Sequence, residues 1–179
     1  MLLRPRQNDE YYTPAYAVVP LIKYLKSKNI RVVWCPFDTE RSYFYKVLTT
    51  AGFIVECSHI RNEQNFLTYE PRIEYDAIVS NPPFSIKDQV IARCYELNKP
   101  FALLMPVPTL QGGFRFQYFK TGLELLVFDK RIYFFDNHQA YRSNWFASAY
   151  FCRGLLPQSL VFEEIKRNED NEYVIDNMC

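Results

Sequence analysis

Asn81, Pro82, Pro83 and Phe84 follow one another in an order whose residue types suit a reaction. The Asn81 side chain offers a carbonyl acceptor. Pro82 offers a main-chain carbonyl and no competing N–H. Pro83 stiffens the turn, so both oxygens are aimed in advance. Phe84 offers a ring face to a planar group. Two aimed acceptors beside an aromatic ring suit an exocyclic amine on a planar base such as adenine. That nitrogen is a poor nucleophile, because its lone pair is delocalised into the ring. Accepting hydrogen bonds from its N–H groups returns electron density to nitrogen. A base within a duplex cannot reach such a pocket, so it must be flipped out or already unpaired. Stacking on Phe84 would contribute roughly 1–3 kcal/mol. The plainer alternative is a rigid turn, since Asn-Pro opens many turns.

Such a turn needs a strand before it and a helix after it. Residues 75–80 form an apolar run that predicts a buried strand, and Ser85-Ile86-Lys87-Asp88 resembles a capping-box start for a helix to about residue 98. Upstream, Thr13 reads as an N-cap with Pro14 at the first helical position, and Val18, Leu21, Ile22 and Leu25 recur at helical spacing. Strands are predicted at 30–35 and 53–57, with a helix over 39–51 stopped by Gly52. Residues 62–72 read as a loop or short irregular strand. Further strands are predicted over 100–107, 123–128, 131–135 and 145–152. Strands alternating with helices imply an α/β fold with a doubly wound, mostly parallel sheet, and the strand-rich last third implies antiparallel strands near the C-terminus. Ligands bind such sheets at the carboxyl ends of the strands, where the Asn81 turn falls.

With 49% hydrophobic and 17% aromatic residues, disorder is not expected. The length suits one domain. A formal charge of +1 does not announce a nucleic-acid binder, so any phosphate contact must come from a local patch. Five cysteines without a Cys-x-x-Cys pair favour reduced thiols over a disulfide framework or a metal site. No apolar run is long enough to span a bilayer, and a cytoplasmic protein is expected.

In these motifs the chain resembles the class I S-adenosylmethionine-dependent N6-adenine methyltransferases, above all the small forms carried by bacteriophages and prophages. The resemblance runs from about residue 9 to residue 156. Asp9-Glu10-Tyr11-Tyr12-Thr13-Pro14 is similar to the family's N-terminal cofactor motif, which implies Tyr12, Thr13 and Pro14 near the methionine end of S-adenosylmethionine. Asn81 to Phe84 is similar to its catalytic motif, and Pro100 to Pro106 to the strand and turn that follow. The order of motifs matches the gamma arrangement, without a target-recognition domain. The resemblance implies a seven-stranded sheet and methyl transfer to adenine in bacterial or phage-infected cytoplasm.

The cofactor half departs from the family. The first loop, Trp34 to Ser42, lacks the usual Gly-x-Gly. Asp38 is a displaced carboxylate for the cofactor's ammonium group, or else the segment is a capped helix start with Asp38 or Thr39 as N-cap; Phe37 would pack against the cofactor. His59 or Glu56 must replace the usual ribose-binding carboxylate. Asn65-Phe66 stands where the family has Asp-Phe, with an amide acceptor for the cofactor's adenine and a ring to stack on it.

For substrate, Gln111 to Lys120 interleaves aromatics with Arg115 and Lys120, which suits phosphates and unstacked bases or else a packed helix. Lys87 lies beside the active turn. Residues 137–144, with Arg142, form a second polar loop that could face nucleic acid. Charged residues 163–176 read as a solvent-facing edge. DNA is the expected partner, with no metal. RNA adenine, a protein glutamine amide, or a non-catalytic nucleic-acid-binding role stay open, as does oligomeric state.

Overall fold

A computed structural model describes residues 12–135, 141–143 (backbone only) and 146–167. Asp9, Glu10, Tyr11, residues 137–140, Asn144, Cys179 and most of the charged run 163–176 lie outside the described residues.

The helices are α1 (Ala15–Val18), α2 (Leu21–Ser27), α3 (Tyr43–Thr50), α4 (Lys87–Leu97) and α5 (Gly113–Phe119). The strands are β1 (Val32–Pro36), β2 (Ile54–Ser58), β3 (Ala77–Ser80), β4 (Phe101–Pro106), β5 (Glu124–Phe128), β6 (Tyr133–Phe135), β7 (Tyr141–Ser143), β8 (Ser148–Arg153) and β9 (Leu160–Glu163). Seven strands form one sheet in the order β2-β1-β3-β4-β8-β5-β9. All pairings are parallel except those that β8 makes with β4 and β5. The doubly wound, mostly parallel sheet with an antiparallel element near its end is therefore as expected. β6 and β7 form a separate antiparallel pair.

Central strands are buried on both faces, which explains their unbroken apolar runs: every residue of β3 is buried. Alternate residues point to two cores. Val33, Val79 and Leu104 pack with Leu21, Leu25, Phe44 and Leu48 from α2 and α3. Trp34, Ile78 and Leu103 pack with Val90, Ile91 and Cys94 of α4. The start of β1 is tied to the start of β3 by Asp76, whose carboxylate accepts from Arg31 N and Val32 N at 2.8 and 2.9 Å. These bonds hold the Asp76 carboxyl below its ordinary range.

Several local expectations are corrected. The first helix is two helices, because Pro20 follows α1 and begins the turn into α2. Pro14, not Thr13, occupies the N-cap position of α1. α3 starts at Tyr43 because Ser42 is its cap, accepting from Tyr45 N at 3.2 Å; neither Asp38 nor Thr39 fills that role. Ser85 caps nothing: a 3-10 turn over Phe84–Ile86 leads into α4. The strand over 131–135 belongs to the β6–β7 pair, and Tyr141 to Ser143, expected in a loop, form β7. β9 was not expected. Its Leu160-Val161-Phe162 run is too short to stand out, and pairing with β5 defines it.

Candidate active site

In the sheet order, β2 lies on one side of β1 and β3 on the other. The chain thus reverses its direction of winding between β1 and β3, and in such sheets ligands bind at the carboxyl ends of the strands that flank this switch point. Asn81-Pro82-Pro83-Phe84 leaves β3 there, and Phe37-Asp38 leaves β1.

Ser80, the last residue of β3, joins the two turns. Its hydroxyl is buried and is 2.6 Å from Asp38 Oδ2, with a second contact to the Pro36 carbonyl. Because the hydroxyl has one proton, it donates to one of these oxygens at a time. Burial pushes the Asp38 carboxyl up from 3.8 to about 7, against the opposing pull of hydrogen bonds from Ser80 and Ser42.

The β1 turn manages without glycine by placing Phe37 at φ +74°. A bulky residue in the left-handed region is an outlier, costing on the order of 1–3 kcal/mol, and such strain clusters at ligand clamps. Phe37 is half-buried and packs on Phe66, their ring centroids 5.3 Å apart. Phe66 is only 2% exposed and also lies against Trp34 at 5.1 Å. Phe37 is thus the more accessible ring of that wall.

On the β3 turn, Pro82 is buried, and Asn81 Oδ1 is a buried oxygen. The Pro83 carbonyl accepts from Ile86 N at 3.2 Å and the Phe84 carbonyl from Lys87 Nζ at 3.2 Å. Lys87 therefore braces the turn from the first residue of α4. Phe84 meets Phe146 edge-on at 5.7 Å and 76°. Phe146 reaches this rim because β8 runs backwards, so its start, at Ser148, pairs with Pro106 at the end of β4. Phe146 and Ser80 were not expected from sequence. No motif marks Phe146, whereas Ser80 is signalled only by being a polar residue that closes an apolar run.

The N-terminal segment joins β6: Tyr12 and Phe135 exchange two backbone hydrogen bonds of 3.0 Å. Tyr12 is 45% exposed. Thr13 is buried, yet its Oγ1 makes no hydrogen bond among the described residues. Such an atom costs stability unless a ligand or water meets it. α1, which follows, packs on α3, the helix entered from the Asp38–Ser42 loop.

The remaining expected cofactor residues lie after β2. His59 caps a 3-10 turn, its Nδ1 accepting from Arg61 N at 3.1 Å. Asn65 Oδ1 accepts from Leu67 N at 3.1 Å. Glu56 sits within β2, in register with Trp34, and Trp34 Nε1 donates to Ser58 Oγ at 2.9 Å. Of the expected substrate residues, Arg115 pairs with Asp88 at 2.6 Å and donates to the carbonyls of Thr109, at 2.7 Å, and Gln111. Gly112 permits this, because a Cβ there would stand 2.4 Å from the Arg115 guanidinium. Lys120 Nζ sits 5.9 Å from the centre of the Phe116 ring. Arg142 is on β7, opposite Phe134. Among the described residues no cluster of three metal-ligating side chains occurs, and no helix is long and apolar enough to cross a membrane. Cys35, Cys57, Cys94 and Cys152 are free thiols, and burial pushes all four upward in pKa.

No protein-family model and no curated protein sequence matches this chain. The architecture itself is that of a Rossmann-like methyltransferase fold: a seven-stranded, doubly wound sheet with one reversed strand near its end. It is consistent with the S-adenosylmethionine-binding methyltransferase superfamily in general. The residues at the ends of β1 and β3 fit that cofactor in kind, with the Asp38 carboxyl for an ammonium group and the accessible Phe37 ring.

Proposed function

We propose that this chain is an N6-adenine DNA methyltransferase that uses S-adenosylmethionine. One observation carries the reading: the Asn-Pro-Pro-Phe turn leaves β3 at the switch point of the sheet, bonded through Ser80 to the carboxylate of the neighbouring turn. When bound, S-adenosylmethionine supplies a methyl group on a sulfonium, whose S–C bond breaks as an N–C bond forms and S-adenosylhomocysteine leaves. Asn81 Oδ1 and the Pro82 carbonyl accept the two N6–H groups and hold the amine's lone pair toward the methyl. Phe84 and Phe146 provide an aromatic recess for the base. The methylated nitrogen loses its extra proton to water. Asp38 in its carboxylate form holds the cofactor's ammonium group.

The test is incorporation of labelled methyl from S-adenosylmethionine into separate DNA, RNA and protein fractions. Label in DNA, recovered as N6-methyladenine, is the expected result. Label confined to RNA or to protein glutamine would move the reading to those substrates. Absence of cofactor binding at millimolar concentration would favour a non-catalytic nucleic-acid-binding role.

A further inference from the structure

Beyond the candidate active site, α5 exposes an aromatic surface that the fold does not use. Phe116 is 65% exposed and Phe114 is 49% exposed, while Arg115, Tyr118 and Phe119 turn inward. Lys120, one helical turn beyond Phe116, lies over its ring. Single exposed apolar residues are ordinary, but two phenyl rings exposed on the two flanks of one short helix, with Leu110 just before it, ask for a partner.

Charge narrows the choice of partner. Residues 97–123 contain no Asp or Glu. Of the α4 carboxylates, Asp88 pairs with Arg115 and Glu96 with Arg93. The Asp88–Arg115 pair also fixes α5 against the first turn of α4, which begins three residues after Phe84. α5 therefore exposes apolar rings and a cation, and it is anchored to the helix that follows the candidate active-site turn. Its complement is a polyanion that presents flat rings.

We propose that α5, through Phe116 and Lys120 with Phe114 on its other flank, holds unpaired nucleotides flanking the target adenine, so that the preferred substrate is single-stranded or locally opened DNA. This rests on the methyltransferase reading above and adds strandedness to it. Phe116 offers its ring to a base, and Lys120 offers its charge to the adjoining phosphate. In a continuous duplex neighbouring bases remain stacked on one another, and the phenyl rings meet only backbone.

The experiment is fluorescence anisotropy with the full chain and three labelled DNAs: a single strand containing one adenine, the same sequence as a duplex, and the single strand with abasic flanks. The single strand is expected to bind about tenfold more tightly than the duplex, and Phe116→Ala to lose about tenfold on the single strand and nothing on the abasic strand. Phe116→Trp should retain the preference. Lys120→Ala should lower the salt slope by about one phosphate contact. Equal binding of duplex and single strand, or an equal Phe116→Ala loss on the abasic strand, overturns the proposal. So does Phe116-dependent binding to phosphatidylglycerol vesicles with no such dependence on DNA. Binding requires no methyl transfer, so the two readings fail separately. Phe116-dependent binding without methyl incorporation sinks only the catalytic reading; methyl incorporation with a duplex preference sinks only this one.

Discussion

The turns after β3 and β1 lie side by side at the carboxyl ends of adjacent strands and are stiffened by opposite means. After β3, stiffness is covalent: two consecutive prolines fix φ and remove donors, whatever surrounds them. After β1, it is tertiary. Phe37 is held in a left-handed conformation, and Asp38 is held by Ser80 and Ser42, which come from other elements. The first kind of turn carries its geometry in four consecutive residues. The second exists only once β1, β3 and α3 have assembled.

The largest effect should come from the covalent turn. Asn81→Ala is expected to lower methyl transfer to DNA by about 100-fold or more, on the scale of losing one aimed polar group in an active site. Calorimetry should find cofactor affinity little changed. Intact turnover would remove the role given to the turn.

Next comes Asp38→Asn, expected to weaken cofactor binding about tenfold by removing the ammonium's counter-charge. Wild-type affinity should rise with pH through about 7, as the Asp38 carboxyl ionises, and the variant should lose that rise. Stability should move the other way. Below about 4 both folded and unfolded chains hold the Asp38 proton. Between about 4 and 7 only the folded chain does, so rising pH favours unfolding, and the loss levels off above 7. Urea titrations across that window should find a falling trend that Asp38→Asn flattens.

A smaller effect is expected for Ser80→Ala, which cuts the link between the turns. Removing one buried hydrogen-bonding group should cost about 1–3 kcal/mol, read as a lower urea midpoint. The Asp38 carboxyl, losing a bond that holds it down, should ionise at still higher pH. An unchanged midpoint and an unchanged pH profile would mean that the turns are independent.

The smallest effect separates backbone from ring. Phe37→Ala and Phe37→Gly both delete the phenyl contact with Phe66. At a left-handed position Gly should nonetheless be the more stable of the two by about 1 kcal/mol, reversing its usual disadvantage. If Ala proves better, Phe37 does not hold the conformation described.

The same contrast explains what could be read from sequence. The covalent turn and its flanking strand and helix were legible, because Pro-Pro and a buried parallel strand are local signals. The doubly wound sheet followed from the alternation of those elements. The β1 turn was legible only as a departure from a glycine pattern; nothing in Pro36-Phe37-Asp38 announces a positive φ. Ser42 went unnoticed as a cap because Asp38 and Thr39 are equally good caps on paper, and tertiary bonds divert Asp38 toward Ser80. β9 and Phe146 depend on where β8 inserts, and no local pattern encodes that.

The backward course of β8 has a consequence for how the molecule comes into being. β4 and β5 are separated by β8, so the middle of the sheet stays open until residue 153 has left the ribosome. The turns after β1 and β3 are made long before then, but Phe146, which meets Phe84, is not. A nascent chain halted before β8 would hold the Asn-Pro-Pro-Phe turn beside an unsealed seam, and the strand that seals this seam is also the one that brings Phe146 against Phe84.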